Sequence, residues 1–137
     1  MSWTVEYVPE KEMVRVVARD QVFTQDARAQ AAEATALIKK HDVDFVLADY
    51  SAVQLEVSLA NLYWLPDYYL KLGAPQHIRI AVILSRTGSQ LESYQFYQVA
   101  CKNAGYNVKL FDCADAAERW FGQLRPRPSD ALQPAKA

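Results

Sequence analysis

The chain has 137 residues, 51% hydrophobic and 23% charged, which is the composition of one globular domain with its own core. Fifteen basic residues nearly balance sixteen acidic ones, and the longest basic run is Lys39-Lys40, so we expect no nucleic-acid partner. No stretch reaches the roughly 18 consecutive apolar residues typical of a membrane span, and the first residues lack the pattern of a secretory signal. These features predict a cytoplasmic protein.

The first two predicted strands form a hairpin. They run from Trp3 to Val8 and from Met13 to Arg19, and both are rich in valine. The segment 9–12, Pro-Glu-Lys-Glu, suits a tight reversal between them. We therefore expect the two strands to pair in antiparallel orientation.

The first predicted helix follows this hairpin. Thr24 is expected to cap it, Asp26 lies in its first turn, and it runs to about Lys40. The side that faces the core carries residues at helical spacing, namely Ala27, Ala31, Ala34 and Ile38. Small side chains on that side allow the helix to pack close to a sheet.

A short buried strand and an unusually aromatic helix come next. Asp44 to Asp49 is an apolar run with polar ends, which predicts the strand. The helix spans Ser58 to Leu72, and apart from one narrow stripe its sides are almost all apolar. Pro66 predicts either a kink or a restart of the helix at that position. Its ring-bearing residues point in several directions: Tyr63, Trp64, Tyr68 and Tyr69.

The central strand is predicted over Ile78 to Leu84, the most β-branched segment of the chain. Ser89 and Glu92 have the spacing of a capping box that opens a helix, and Gly105 marks its end. One side of this helix carries Leu91, Tyr94, Tyr97, Cys101 and Ala104.

A last strand and helix complete the predicted domain. The strand covers Tyr106 to Phe111, and Asp112 or Asp115 is expected to cap a helix that runs through Phe121. Its buried side is predicted to hold Ala117, Trp120 and Phe121. Residues 125–137 are rich in proline and lack periodicity, so residues 1–124 are predicted to fold and the remainder to be a disordered tail.

The order of elements is β-β-α-β-α-β-α-β-α. Strands that alternate with helices indicate an α/β single domain with a mostly parallel sheet, in which the opening hairpin supplies an antiparallel first strand. At the carboxyl ends of such strands, Asp49 is the acidic residue best placed to resemble the phosphorylated aspartate of a response-regulator receiver.

The sequence lacks the patterns of common enzymes and metal sites. There is no Gly-x-Ser-x-Gly elbow, the four glycines are dispersed, and Cys101 and Cys113 lack metal-ligand spacing. Two reduced, mostly buried thiols are predicted. His41 is expected to end a helix, and His77 to lie in a solvated loop. We therefore predict a non-enzymatic protein with no catalytic residue, no metal and no cofactor.

The segment LADYSAVQLEVSLANL, together with the order of elements, resembles the SpoIIAA-like fold of STAS domains. The closing Ala116-Ala117-Glu118-Arg119-Trp120-Phe121 also looks like the last helix of uncharacterised bacterial proteins of that group. In the anti-sigma-factor antagonists, the first segment carries an Asp-x-Ser pattern and a serine that a partner kinase phosphorylates. Asp49 and Ser51 match that pattern, and Ser58 falls where the phosphoacceptor would be.

The resemblance implies a regulatory or scaffolding module that acts through protein contacts. The helices 58–72 and 89–104 are the predicted interaction surface, for a protein partner or a second copy in a homodimer. A small carrier that binds an apolar or lipid-like ligand in an aromatic groove is the alternative, and full burial of the rings in the monomer also stays open. Ser58 is either a phosphoacceptor or an ordinary helix cap. The predicted binding residues are Tyr63, Trp64, Tyr68, Tyr69, Tyr94 and Tyr97.

Overall fold

The computed structural model describes residues 2–85, 88 and 90–125. Its five strands form one sheet in the order β1-β2-β3-β4-β5. They are β1 (Trp3–Val8), β2 (Met13–Phe23), β3 (Phe45–Glu56), β4 (Arg79–Ile83) and β5 (Asn107–Phe111). Strand β1 is antiparallel to β2 and all the other neighbouring pairs are parallel, which confirms the predicted fold class.

In the described part of the chain, four helices alternate with the strands after the hairpin, and a 3₁₀ turn at Pro9–Lys11 joins the first two strands. The helices are α1 (Thr24–His41), α2 (Leu59–Leu72), α3 (Leu91–Asn103) and α4 (Ala114–Leu124). Among the described residues, no helix combines the length and the apolar content that crossing a bilayer requires. Residues 126–137 lie outside the described part, so the disordered tail stays a prediction.

The two faces of the sheet carry two separate cores. Helices α1, α2 and α3 cover one face, where alternate strand residues such as Val14, Val46 and Ile80 are buried. Helix α4 covers the other face, where Phe121 packs with Phe45 and other intervening strand residues. This division follows from the alternation of side chains along each strand.

Strands β2 and β3 are longer than predicted. Residues 52–56 of β3 pair with residues 19–23 of β2, whereas β4 pairs with β3 only as far as Asp49. Beyond that point, Gln90 binds β3 as a strand would: the backbone N–H of Leu55 donates to its Oε1 at 2.8 Å, and its Nε2 donates to the Leu55 carbonyl at 2.8 Å. Asp49 therefore lies inside β3, at the end of its pairing with β4, and does not end the strand.

Several predicted helix caps are wrong. Helix α1 has Phe23 as its N-cap, and the Asp26 carboxylate accepts from the Phe23 N–H at 2.9 Å, so Thr24 is already helical. The N-cap position of α4 is occupied by Cys113, and not by Asp112 or Asp115. Helix α3 begins after Gln90, and Ser89 of the predicted capping box lies outside the described residues. For α1 and α4, the N-cap therefore lies one or two positions from the side chains that are predicted to cap the helix.

Candidate functional site: an exposed aromatic face on α2 and α3

Helix α2 has well-defined ends. Ser58 is its N-cap, and the hydroxyl of that serine accepts from the Asn61 N–H at 3.2 Å. Gly73 ends the helix with φ of +79°, a left-handed conformation that glycine adopts without a side-chain clash. Pro66 lies inside the helix and is buried together with Leu62 and Leu65, so the helix continues through the proline and does not restart there.

The opposite side of α2 and the outer side of α3 expose large apolar side chains. Tyr63 and Trp64 pack edge to face with ring centroids 5.1 Å apart, and Phe96 of α3 lies 6.5 Å from the Tyr63 ring. Trp64 keeps 58% of its surface exposed, Tyr63 49% and Phe96 37%. Leu59 and Val99, one helical turn from these rings, are also exposed. We call this group of five residues the exposed aromatic face.

The other predicted binding residues do not belong to this face. Tyr94 is 7% exposed and belongs to the core beneath the helices. Tyr68, Tyr69 and Tyr97 are half-buried and pack against that core. The structure thus divides the six predicted rings into an outward pair and an inward group, and the role of both in binding stays a prediction.

The inward group includes a buried chain of hydroxyl and thiol groups. The hydroxyls of Tyr69 and Tyr97 lie 2.8 Å apart, and the Tyr97 side chain also forms a hydrogen bond with the Cys101 side chain. Burial raises the pKa of both tyrosines well above the usual range and that of the Cys101 thiol from 9.0 to about 12. These three side chains are neutral at physiological pH, so their hydrogen bonds stabilise the packing of α2 on α3 without burying a charge.

These pKa shifts predict how stability depends on pH. The unfolded chain releases the Cys101 proton near pH 9.0, whereas the folded chain keeps it until about pH 12. The folded state therefore binds more protons over this interval, and the free energy of unfolding falls as pH rises above about 9. Urea unfolding from pH 7 to 11 measures the slope, and Cys101→Ala should make it shallower. A slope that is unchanged in this variant would contradict the assignment.

No protein-family model and no curated protein matches the sequence. Among solved structures, an uncharacterised DUF3478-family protein with a SpoIIAA-like fold from Shewanella loihica PV-4 superimposes with a TM-score of 0.56 at 16% identity, over 86% of this chain and 90% of that one. The chain has a SpoIIAA-like fold.

Two further matches are structures of SpoIIAA itself. The phosphorylated form of this Bacillus cell fate determinant has a TM-score of 0.49 at 10% identity, over 90% of this chain and 99% of that one. The unphosphorylated anti-sigma factor antagonist has a TM-score of 0.48 at 13% identity, over 88% and 98% of the two chains. The predicted resemblance in fold is confirmed by the match to the DUF3478-family protein.

In this SpoIIAA-like fold, the residues of the predicted phosphoacceptor region occupy two places. Asp49 and Ser51 bond to each other within β3, where the Asp49 carboxylate accepts from the Ser51 hydroxyl at 2.6 Å and from the Ser51 N–H at 3.1 Å. Ser58 is exposed at the start of α2, where its hydroxyl accepts from Asn61. The capping role is thus observed, and phosphorylation stays a prediction.

Replacing Ser58 with alanine is expected to lower the free energy of unfolding by about 1 kcal/mol, because the Asn61 N–H loses its acceptor. Ser58→Asp is the matched control, since its carboxylate restores the acceptor and suits the positive end of the helix dipole. Chemical denaturation measures both variants. Equal losses in the two would show that the hydroxyl does not act as a cap.

The remaining polar candidates have structural contacts. The His77 ring lies 2.9 Å from the Asp44 carboxylate on the surface, and the His41 ring stacks on Tyr7 with centroids 3.8 Å apart. Cys101 is buried as predicted, but Cys113 is exposed because it precedes α4 outside both cores. Within the described residues, no group of three or more His, Cys, Asp or Glu side chains has the arrangement of a metal site.

Proposed function

We propose that this protein is a non-enzymatic regulatory or scaffolding module that acts through protein contacts made by the exposed aromatic face. The observation that carries the proposal is the exposure of Tyr63, Trp64 and Phe96, because the Tyr63 ring lies beside the other two and all three leave much of their surface in water. Contiguous exposed aromatic surface is unfavourable in a monomer, and tryptophan and tyrosine are enriched at the centres of protein interfaces.

The partner that we propose is a second copy of the chain. None of the five residues of the face is charged, so two copies related by a twofold axis would bring no like charges together at the centre of the contact. The nearby charges on α2 are already matched, because Lys71 and Asp67 form an ion pair at 3.3 Å. A neutral apolar centre beside this ion pair is suited to self-association.

Native mass spectrometry and sedimentation equilibrium of the full-length protein test this proposal. We expect a reversible dimer with a dissociation constant of about 1 to 100 µM, which is appropriate to a contact of modest area. Hydrogen exchange compared at high and low protein concentration should show protection in α2 and α3. Protein that is monomeric at concentrations of about 1 mM, or protection confined to other elements, would overturn the assignment.

A further inference from the structure

A cavity of about 110 Å³ lies between the sheet and the layer formed by α1, α2 and α3. Most of its wall is aliphatic or aromatic, and none of the described residues that line it is charged. Helix α1 contributes Ala27, Ala31 and Ala34 to the wall. These side chains are too short to fill the space between the helix and the strands, so the same small residues that allow close packing also leave this volume open.

One buried amide in the wall lacks a hydrogen-bond acceptor. Gln30 is 4% exposed and lines the cavity between the alanines of α1. Its Oε1 accepts from the Tyr50 hydroxyl, but its Nε2 is buried and has no acceptor among the described residues. Buried polar groups are paired in most folded proteins, because an unpaired donor in an apolar interior is unfavourable. A glutamine at this position therefore indicates a polar atom that enters the cavity.

We propose that this cavity binds a small uncharged molecule that carries a carbonyl-type oxygen, with Gln30 Nε2 as the hydrogen-bond donor. The volume limits the ligand to at most about six non-hydrogen atoms, since a larger cavity of about 150 Å³ holds benzene. Charged ligands are disfavoured because the described wall offers no counter-charge. The site lies beneath the helices and is distinct from the exposed aromatic face, so the two proposals stand independently.

Two probes of the same shape test the role of the donor. Cyclopentanone carries the acceptor oxygen, and methylenecyclopentane replaces that oxygen with a CH₂ group. Each is titrated into uniformly ¹⁵N-labelled full-length protein while backbone amides of α1 and the side-chain NH₂ of Gln30 are observed. The NH₂ signal is assigned by its absence from Gln30→Leu. We expect saturable shifts with both probes, and a shift of the NH₂ signal with the ketone alone.

The variants separate hydrogen bonding from space filling. In Gln30→Leu, the ketone should bind about tenfold more weakly, because one hydrogen bond is lost. The dissociation constant of the hydrocarbon should change by less than about twofold. Tyr50→Phe keeps the Gln30 amide, so it should still bind the ketone more tightly than the hydrocarbon. This variant provides a test if Gln30→Leu folds poorly. Ala31→Leu fills the cavity and should abolish binding of both probes.

Three results would overturn the proposal. The first is the absence of saturable shifts with either probe in the wild-type protein. The second is an unchanged ratio of the two dissociation constants in Gln30→Leu. The third is a water molecule that still shows cross-relaxation with the Gln30 NH₂ protons at saturating cyclopentanone, because the donor would then serve a structural water only.

Discussion

Replacing Trp64 with aspartate is expected to weaken the proposed dimer at least about 30-fold. Trp64 is the most exposed of the three rings and packs edge to face on Tyr63. Tryptophans at interface centres commonly contribute about 2 kcal/mol or more, and aspartate additionally places a like charge opposite its copy across the twofold axis. Because Trp64 is 58% exposed in the protomer, the stability of the monomer should change little.

The matched control introduces the same charge elsewhere. Leu124 is 43% exposed at the end of α4, and α4 packs on the other face of the sheet from α2 and α3. Leu124→Asp should therefore leave the dissociation constant unchanged in sedimentation equilibrium. Equal weakening by both variants would indicate a general charge effect, and no weakening by Trp64→Asp would place the contact outside the aromatic face.

The architecture was predictable because periodicity and chain order agree throughout. Alternating strands and helices with a valine-rich hairpin at the start leave few arrangements of one sheet, and the apolar sides of the elements were identified correctly in α1 and α4. The length of β3 was missed. Val53 and Leu55 alternate with the polar Gln54 and Glu56, a strand pattern of period two, but no β4 residue pairs with this part and Gln90 does so instead.

The candidate site was predictable only in part. An excess of rings on α2 indicated surface beyond the needs of one core, and Tyr63 and Trp64 are indeed exposed. Which side of the helix faced water depended on where α3 packs, and that is a tertiary contact with no local signal. The predicted interaction surface therefore includes Tyr94, which is buried, and omits Phe96 and Val99, which are exposed.

Gln30 was missed for a different reason. It interrupts the alanine-rich inward side of α1 at helical spacing from Ala27 and Ala34, so a polar residue on an apolar stripe was a visible signal. The sequence gives no indication of its partners, because Tyr50 lies twenty residues away on β3. Whether a buried amide is paired is a property of the assembled core alone.

Phe121→Ala is expected to lower the free energy of unfolding by about 3 to 5 kcal/mol. Phe121 is 2% exposed, and its ring centroid lies 4.7 Å from that of Phe45 in the core beneath α4. Within the described residues α4 is the helix that covers this face of the sheet, so no neighbouring helix can move in to fill the cavity that the truncation leaves. A loss of this size is a large part of the stability of a domain of this length.

The same helix supplies the control for this prediction. Leu124→Ala shortens an apolar side chain that is 43% exposed and should change stability by less than about 0.5 kcal/mol. Urea unfolding, monitored by tryptophan fluorescence and by circular dichroism, measures both variants, and Trp120 beside Phe121 reports directly on this core. Because the aromatic face lies on the opposite layer, Phe121→Ala should leave the dimer dissociation constant unchanged while the protein is folded. A small stability loss, close to that of Leu124→Ala, would mean that α4 is a dispensable cover and that the core under α1, α2 and α3 alone maintains the fold.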